Sequence, residues 1–224
     1  MGIYLPLTSA LSRIRDGMAL ACPLDSTACS DVGPLKLTPT VTGALSTVDG
    51  PFGTALSFGG TSRAQFADDQ SAHLGITNAW SASLFWYRNA TTAYHVAIAR
   101  STNGTYNWEL QAITGTTNFQ AWQNDGTRSG NTFATTSAEW HWTAVRGYQR
   151  RLESVTRNLA TGAEESFYTV VANQATANDS NGIAVGGLVG STSFGWNGYL
   201  ARVAFWSRAL TDREMYALQY WPMN

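Results

Sequence analysis

The chain has 224 residues, room for one large β domain or two small ones, and 13% charged residues, about half the roughly 25% usual for a soluble domain. With 44% apolar residues and nine each of Trp, Tyr and Phe, it is too aromatic to be a disordered chain, whose mark is high charge with few aromatics. A formal net charge of -1 gives no basic field to gather phosphates, which excludes nucleic acid as a partner, and no uninterrupted apolar run approaches the length of a membrane span, so no membrane insertion is expected.

Residues 1-17 differ in character from the rest of the chain. Ile3, Tyr4, Leu5, Leu7, Leu11 and Ile14 crowd apolar side chains into a short segment closed by Gly17. Such side chains do not stay in water; they pack on the home domain or dock on a neighbour. We read 1-17 as an N-terminal arm, with those six residues as its docking face, and 18-224 as one domain, because no internal repeat or low-complexity linker divides it. The start lacks the basic stretch and apolar run of a signal peptide. Cys22 and Cys29 are too few for a disulfide framework and have no His or Cys neighbours to make a zinc site; they are read as structural thiols or one optional local bridge.

From Met18 the pattern is strand, turn, strand. Asp49-Gly50-Pro51, Gly59-Gly60, Asn103-Gly104, Asp125-Gly126, Asn181-Gly182 and Gly186-Gly187 are turn signals at the short spacing of an all-β sandwich. The first strand with clear alternation lies at Ala55-Phe58. In the run Trp80 to Tyr87, one face carries Trp80, Ala82, Leu84 and Trp86 while the other turns aromatic at Phe85 and Tyr87, as in a central strand covered on both sides. Further strands are predicted at Tyr94-Arg100, Tyr106-Ile113, Asn118-Gln123, Trp140-Arg146, Leu152-Asn158, Glu165-Val171, Ile183-Gly186 and Gly198-Trp206. Thr211-Asp212-Arg213-Glu214 has the form of a capping box and predicts a short terminal helix over about 212-219.

Five pieces of this sequence, in order, resemble the laminin G-like domains of the concanavalin A-like lectin/glucanase superfamily. They are Met18 to Asp25, Gly53-Thr-Ala-Leu-Ser-Phe-Gly-Gly60, Trp80 to Arg88, Trp140-His-Trp-Thr-Ala-Val145, and above all the closing run from Trp196 to Leu218 with Trp206-Ser-Arg-Ala-Leu210 at its centre. The resemblance covers 18-224 and implies an all-β fold: a two-sheet antiparallel jelly-roll sandwich with one short C-terminal helix. The inner faces of two such sheets bury aromatics about 10 Å apart, which accounts for much of the Trp content without a ligand.

Glycosidases of the superfamily present paired carboxylates on one strand, since acid and nucleophile must flank one sugar bond. No such run exists here: Glu164 and Glu165 are adjacent and point to opposite sides of a strand, and Asp212 and Glu214 belong to the helix cap. No Gly-x-Ser-x-Gly elbow accompanies His73, His95 or His141, and no P-loop or dinucleotide fingerprint is present, so neither catalytic residues nor a cofactor are expected. Many members of the resembled family bind calcium, and Asp25 or Asp31 match its early aspartates, but Ala201 stands where the closing motif carries another; no metal is expected.

Sugar binding stays open. A lectin site stacks a sugar face on an aromatic ring and fixes its hydroxyls with Asn, Asp and backbone groups, and Trp122, Asn124 and Asp125 bring those types together, as do Trp196 and Asn197. For each tryptophan burial in the core is the default. The expected role is a non-enzymatic structural or adhesion module. With its Met1 start and docking arm, and given where the resembled domains occur, it suits a bacteriophage virion surface, as a capsid decoration or tail protein. Its partners would be a capsid or tail protein, copies of itself in a homo-oligomer, and a cell-surface glycan. A free soluble lectin is the alternative, and a glycan-processing enzyme a weaker one.

Overall fold

The computed structural model describes residues 13-67, 79-89, 95-101, 107-124, 128-171, 182-191 and 194-221, with the side chains of Asn124 and Arg128 excepted. Tyr94, Tyr106, His73 and the Asn103-Gly104 and Asp125-Gly126 turns lie outside them. Fifteen strands among the described residues form two sheets, and every pairing between named strands is antiparallel.

The first sheet has eight strands. Its path runs from β13 (Glu164-Val170) through β12 (Arg151-Asn158), β11 (Trp140-Tyr148), β6 (Ala79-Arg88), β15 (Asn197-Trp206) and β4 (Gly53-Gly59) to β3 (Leu45-Gly50), and β1 (Met18-Cys22) also pairs with β15. The second sheet runs β10 (Arg128-Phe133), β9 (Phe119-Asn124), β8 (Trp108-Ala112), β7 (His95-Ala99), β14 (Ile183-Val185), β5 (Arg63-Phe66) and β2 (Thr40-Thr42). The predicted strands all form, and β6 is central, between β11 and β15. Strands β2, β3, β5 and β10 are not predicted from the sequence. β2, β3 and β10 are rich in polar residues and lack an apolar alternation, and β5 alternates over only four residues, with Ala64 and Phe66 buried, so it is their neighbours' free ladders that make them strands.

Period-2 alternation sorts the side chains. Trp80, Leu84 and Trp86 of β6 and Val203 and Phe205 of β15 face the other sheet, where they meet Trp108, Leu110, Phe119 and Ala121. Trp108 stacks between Trp80 and Phe205 at 4.8 and 5.3 Å, and Trp86 stacks on Phe119 at 4.3 Å. Within this interior the Trp86 indole N-H donates to the Thr143 hydroxyl at 2.9 Å and that of Trp80 to the Gln123 side-chain oxygen at 3.3 Å. The register brings chains into tight crossings, of which Gly198 is one. At Gly198, φ is +150° and a Cβ would lie 2.0 Å from the Tyr87 carbonyl oxygen, so only glycine fits.

The outer face of the eight-stranded sheet carries a second core. Phe85, Trp142, Ala204 and Trp206 point away from the sandwich interior and are covered by helix α1 (Asp212-Ala217), the 3-10 turn Leu218-Tyr220, Trp221 and Ile14. A bulge between Ala201 and Ala204 divides β15, so that its first half pairs with β4 and its second with β1. Cys22 and Cys29 are free buried thiols, and Cys22 donates to the Cys29 carbonyl at 3.2 Å; burial pushes the Cys22 thiol pKa up.

Candidate functional site

The outer face of the eight-stranded sheet is not wholly covered by α1. Between the helix and strands β11, β12 and β13 lies a cleft of about 290 Å³, lined by Arg146, Glu153, Val155, Ser166, Tyr168, Asp212, Met215 and Tyr216 among others. Two local features build it. The β11-β12 hairpin turns on Gln149 and Arg150, both at positive φ (44° and 62°) as a type I′ turn requires, and this register sets Arg146 opposite Glu153 and, one strand on, Glu153 opposite Tyr168. The helix wall is fixed by a complete capping box: Thr211 Oγ1 accepts from the Glu214 N-H at 3.3 Å, and the Glu214 carboxylate accepts from the Thr211 N-H at 2.8 Å. Arg208 clamps Glu214 with bonds of 2.8 and 3.0 Å, and burial, which alone would raise the Glu214 pKa, is outweighed by Arg208 and Thr211.

Arg146 is the hub of the cleft. Its Nε donates to Glu153 at 2.8 Å, its Nη2 donates to both Glu153 and Asp212, and its Nη1 donates to the Leu210 carbonyl at 2.6 Å, tying sheet to helix. Burial alone would lower its pKa, but the two carboxylates outweigh this and raise it. Tyr148 donates to the other oxygen of Glu153 at 2.8 Å, and its ring lies 5.1 Å from the Arg146 guanidinium carbon. Around this rigid polar floor stand exposed rings: Tyr168 is 71% exposed and Tyr216 42%. The Tyr216 hydroxyl donates to Glu164 at 3.0 Å, and burial and that carboxylate raise its pKa. The cleft thus offers aromatic surface beside fixed hydrogen-bonding groups.

The residues singled out from sequence lie elsewhere. Trp122 is on β9, side by side with Glu109 of β8, and only 1% exposed. Trp196 is fully buried, its indole N-H donating to the Tyr87 carbonyl at 3.2 Å. Neither offers a sugar a free ring face. Asn197 is half-buried, with its backbone N-H on His95 Nδ1 at 2.9 Å; only the backbone of Asn124 is described, and Asp125 lies outside the described residues. Of the docking arm, Ile3, Tyr4, Leu5, Leu7 and Leu11 also lie outside them. Ile14 is described, and it is fully buried against the second core, its carbonyl accepting from the Trp206 indole while Arg208 donates to the carbonyls of Arg13 and Asp16 at 2.7 and 2.6 Å. Residues 13-17 are therefore held by the sandwich.

Other candidates have structural work. Asp31 accepts from the N-H groups of Ala21, Gly33 and Leu37 at 2.7 to 2.9 Å, shaping the loop after β1, and no group of three potential metal ligands occurs among the described residues. His141 stacks on Trp86 at 4.4 Å with Nδ1 near the Glu139 carbonyl. Trp140, Tyr87 and Tyr199 form a cross-strand row of half-buried rings, in which Tyr87 and Tyr199 stack on each other at 4.9 Å and so use one face of each. The cleft residues Arg146, Glu153, Tyr168 and Tyr216 escape a reading of the sequence because their proximity depends on a turn without Gly or Asn. Asp212 is legible there only as part of a cap.

No protein-family profile matches the chain, and no curated protein sequence is significantly similar to it. Solved structures are similar in fold. Domain 4 of AbnA, an extracellular GH43 arabinanase from Geobacillus stearothermophilus, in complex with arabinotriose, has a TM-score of 0.69 at 16% identity, over 90% of this chain and 97% of that one. The binding domain of botulinum neurotoxin serotype C1 gives 0.69 at 11% identity over 94% of this chain, and that of botulinum neurotoxin DC in complex with SialylT gives 0.65 at 13% over 92%. This chain spans 53% of either toxin domain. At these identities the similarity establishes the β-sandwich fold.

Proposed function

We propose that this chain is a non-catalytic, laminin G-like glycan-binding module and that the cleft against α1 is its sugar site. The observation that carries this reading is the exposed Tyr168 ring beside the preset Arg146-Glu153-Asp212 cluster, since a sugar needs one apolar face to stack and fixed polar groups for its hydroxyls. The neighbours described as complexes with arabinotriose and with SialylT support it by analogy of fold. Binding is favoured over cleavage because a glycosidase needs one carboxyl poised to protonate and one free to attack, whereas Glu153 and Asp212 are both committed to one guanidinium. Tyr168→Ala removes the stacking face from a solvent-exposed strand position. It should weaken glycan binding about tenfold, the scale of one aromatic contact worth ~1.4 kcal/mol, with the melting temperature unchanged. Undiminished affinity in that variant would remove the cleft from consideration.

A second role is display on a larger particle, such as a phage virion. It is favoured by the apolar residues Ile3 to Leu11, which precede a segment pinned to the sandwich at Ile14, Asp16 and Gly17. Deleting residues 1-12, while keeping 13-17, should abolish copurification with the particle and leave the fold intact; retained copurification counts against the role.

A further inference from the structure

The charge arrangement of the cleft says what kind of sugar it takes, an inference that rests on the glycan-binding reading. Three carboxylates meet there: Glu153, Asp212, and Glu164 through the Tyr216 hydroxyl. Three guanidiniums stand near them, and Arg157, opposite Glu164 in the strand register, is held by a bond to Gln219 at 3.0 Å. Each of the three nitrogens of Arg146 already donates to protein oxygen, and Arg151, 3.9 Å from Glu153, is more than half exposed and solvated. An incoming carboxylate would find no preset cation and would approach the Asp212 carboxylate, which is 80% exposed. Sugar hydroxyls meet the opposite situation, because the exposed Asp212 carboxylate and the Tyr168 and Ser166 hydroxyls can accept their protons. The volume of about 290 Å³ lies at the bottom of the range for small-molecule sites, the size of a terminal sugar unit, not a long chain segment.

We infer that the cleft selects uncharged terminal sugars and rejects acidic ones such as sialic or uronic acids. Like charges brought together at a partly desolvated surface oppose binding, and salt weakens the opposition by shortening the screening length. The test is calorimetric titration of the full chain with lactose and sialyllactose, and with arabinotriose and a galacturonic acid trisaccharide, at low salt and at about 0.5 M salt. The neutral member of a pair should bind at least tenfold more tightly at low salt, with the gap narrowing at high salt. In Asp212→Asn, whose substituted side chain is largely exposed, the gap should shrink severalfold. An acidic sugar binding as tightly as its neutral partner, with binding lost in Tyr168→Ala, overturns the selectivity but leaves the sugar site standing. Failure of all four ligands, or binding indifferent to Tyr168→Ala, removes the glycan-binding reading itself.

Discussion

His95 shows how burial of one polar side chain writes a pH dependence into the fold. His95 is 4% exposed, its Nδ1 accepts the Asn197 N-H, and its Nε2 is buried with no hydrogen-bond partner among the described residues. Burial, assisted by the nearby Arg88 charge, lowers its pKa from 6.5 to about 4. Between those values the unfolded chain takes up a proton that the folded protein refuses. The contribution to stability is therefore complete above pH 6.5 and is lost progressively as pH falls towards 4, reaching about 3 kcal/mol. His95→Gln retains an acceptor for the Asn197 amide but cannot titrate. Urea unfolding of this variant at pH 7 and pH 4.5 should show a smaller acid loss than the parent, by roughly 2 kcal/mol. A residual slope is expected from His141, whose pKa burial also lowers. An identical acid loss in parent and variant would mean that His95 is not held neutral.

At the scale of elements, the terminal helix and both strands of the hairpin beside it are readable in the sequence, and the turn that joins those strands is not. Thr211 to Glu214 announced a capping box from residue types alone, because cap chemistry is local, and both of its bonds form. The central strand β6 was equally legible, since its alternation is strong on both faces. Strands β2, β3 and β10 carry too little apolar pattern, and β5 too short an alternation, to be read without their partners. The cleft depends on both classes of element: a legible helix forms one wall, and the register of an illegible turn places Arg146 and Glu153 on the other. Hence Thr211→Ala should do two things. Losing the cap destabilises the protein by about 1 kcal/mol, and loosening the wall that carries Asp212 weakens sugar binding severalfold. Thr211→Ser, which restores the hydroxyl, should recover both. Thermal melts and titrations of the two variants check this, and an Ala variant with parental stability would deny the helix its cap.

For the whole molecule, the aromatic load that suggested sugar sites in the sequence is chiefly the material of two cores on the two faces of one sheet. Composition counts tryptophans but does not say which side of a strand they occupy or what covers them, so Trp122 and Trp196 looked as available as any. In the folded chain, Trp80, Trp86, Trp108, Trp122, Trp142, Trp196 and Trp206 are each less than 2% exposed, Trp221 is 7% exposed, and only Trp140 is half-buried. Such extensive burial of indole surface, at roughly 25 cal/mol per Å² of apolar area, makes the interior the main store of stability and, on the proposed reading, leaves recognition to the tyrosines of the cleft. The consequence is measurable in fluorescence. Iodide, which is charged and excluded from the interior, should quench no more than about a quarter of native tryptophan emission, chiefly that of Trp140. Nearly all of the emission should become quenchable in urea. Adding a sugar that occupies the cleft should leave the native quenching profile unchanged while perturbing tyrosine absorbance. Sugar protection of a large tryptophan component would instead place the binding face at an indole, and with it return the site to the aromatic positions that the sequence first suggested.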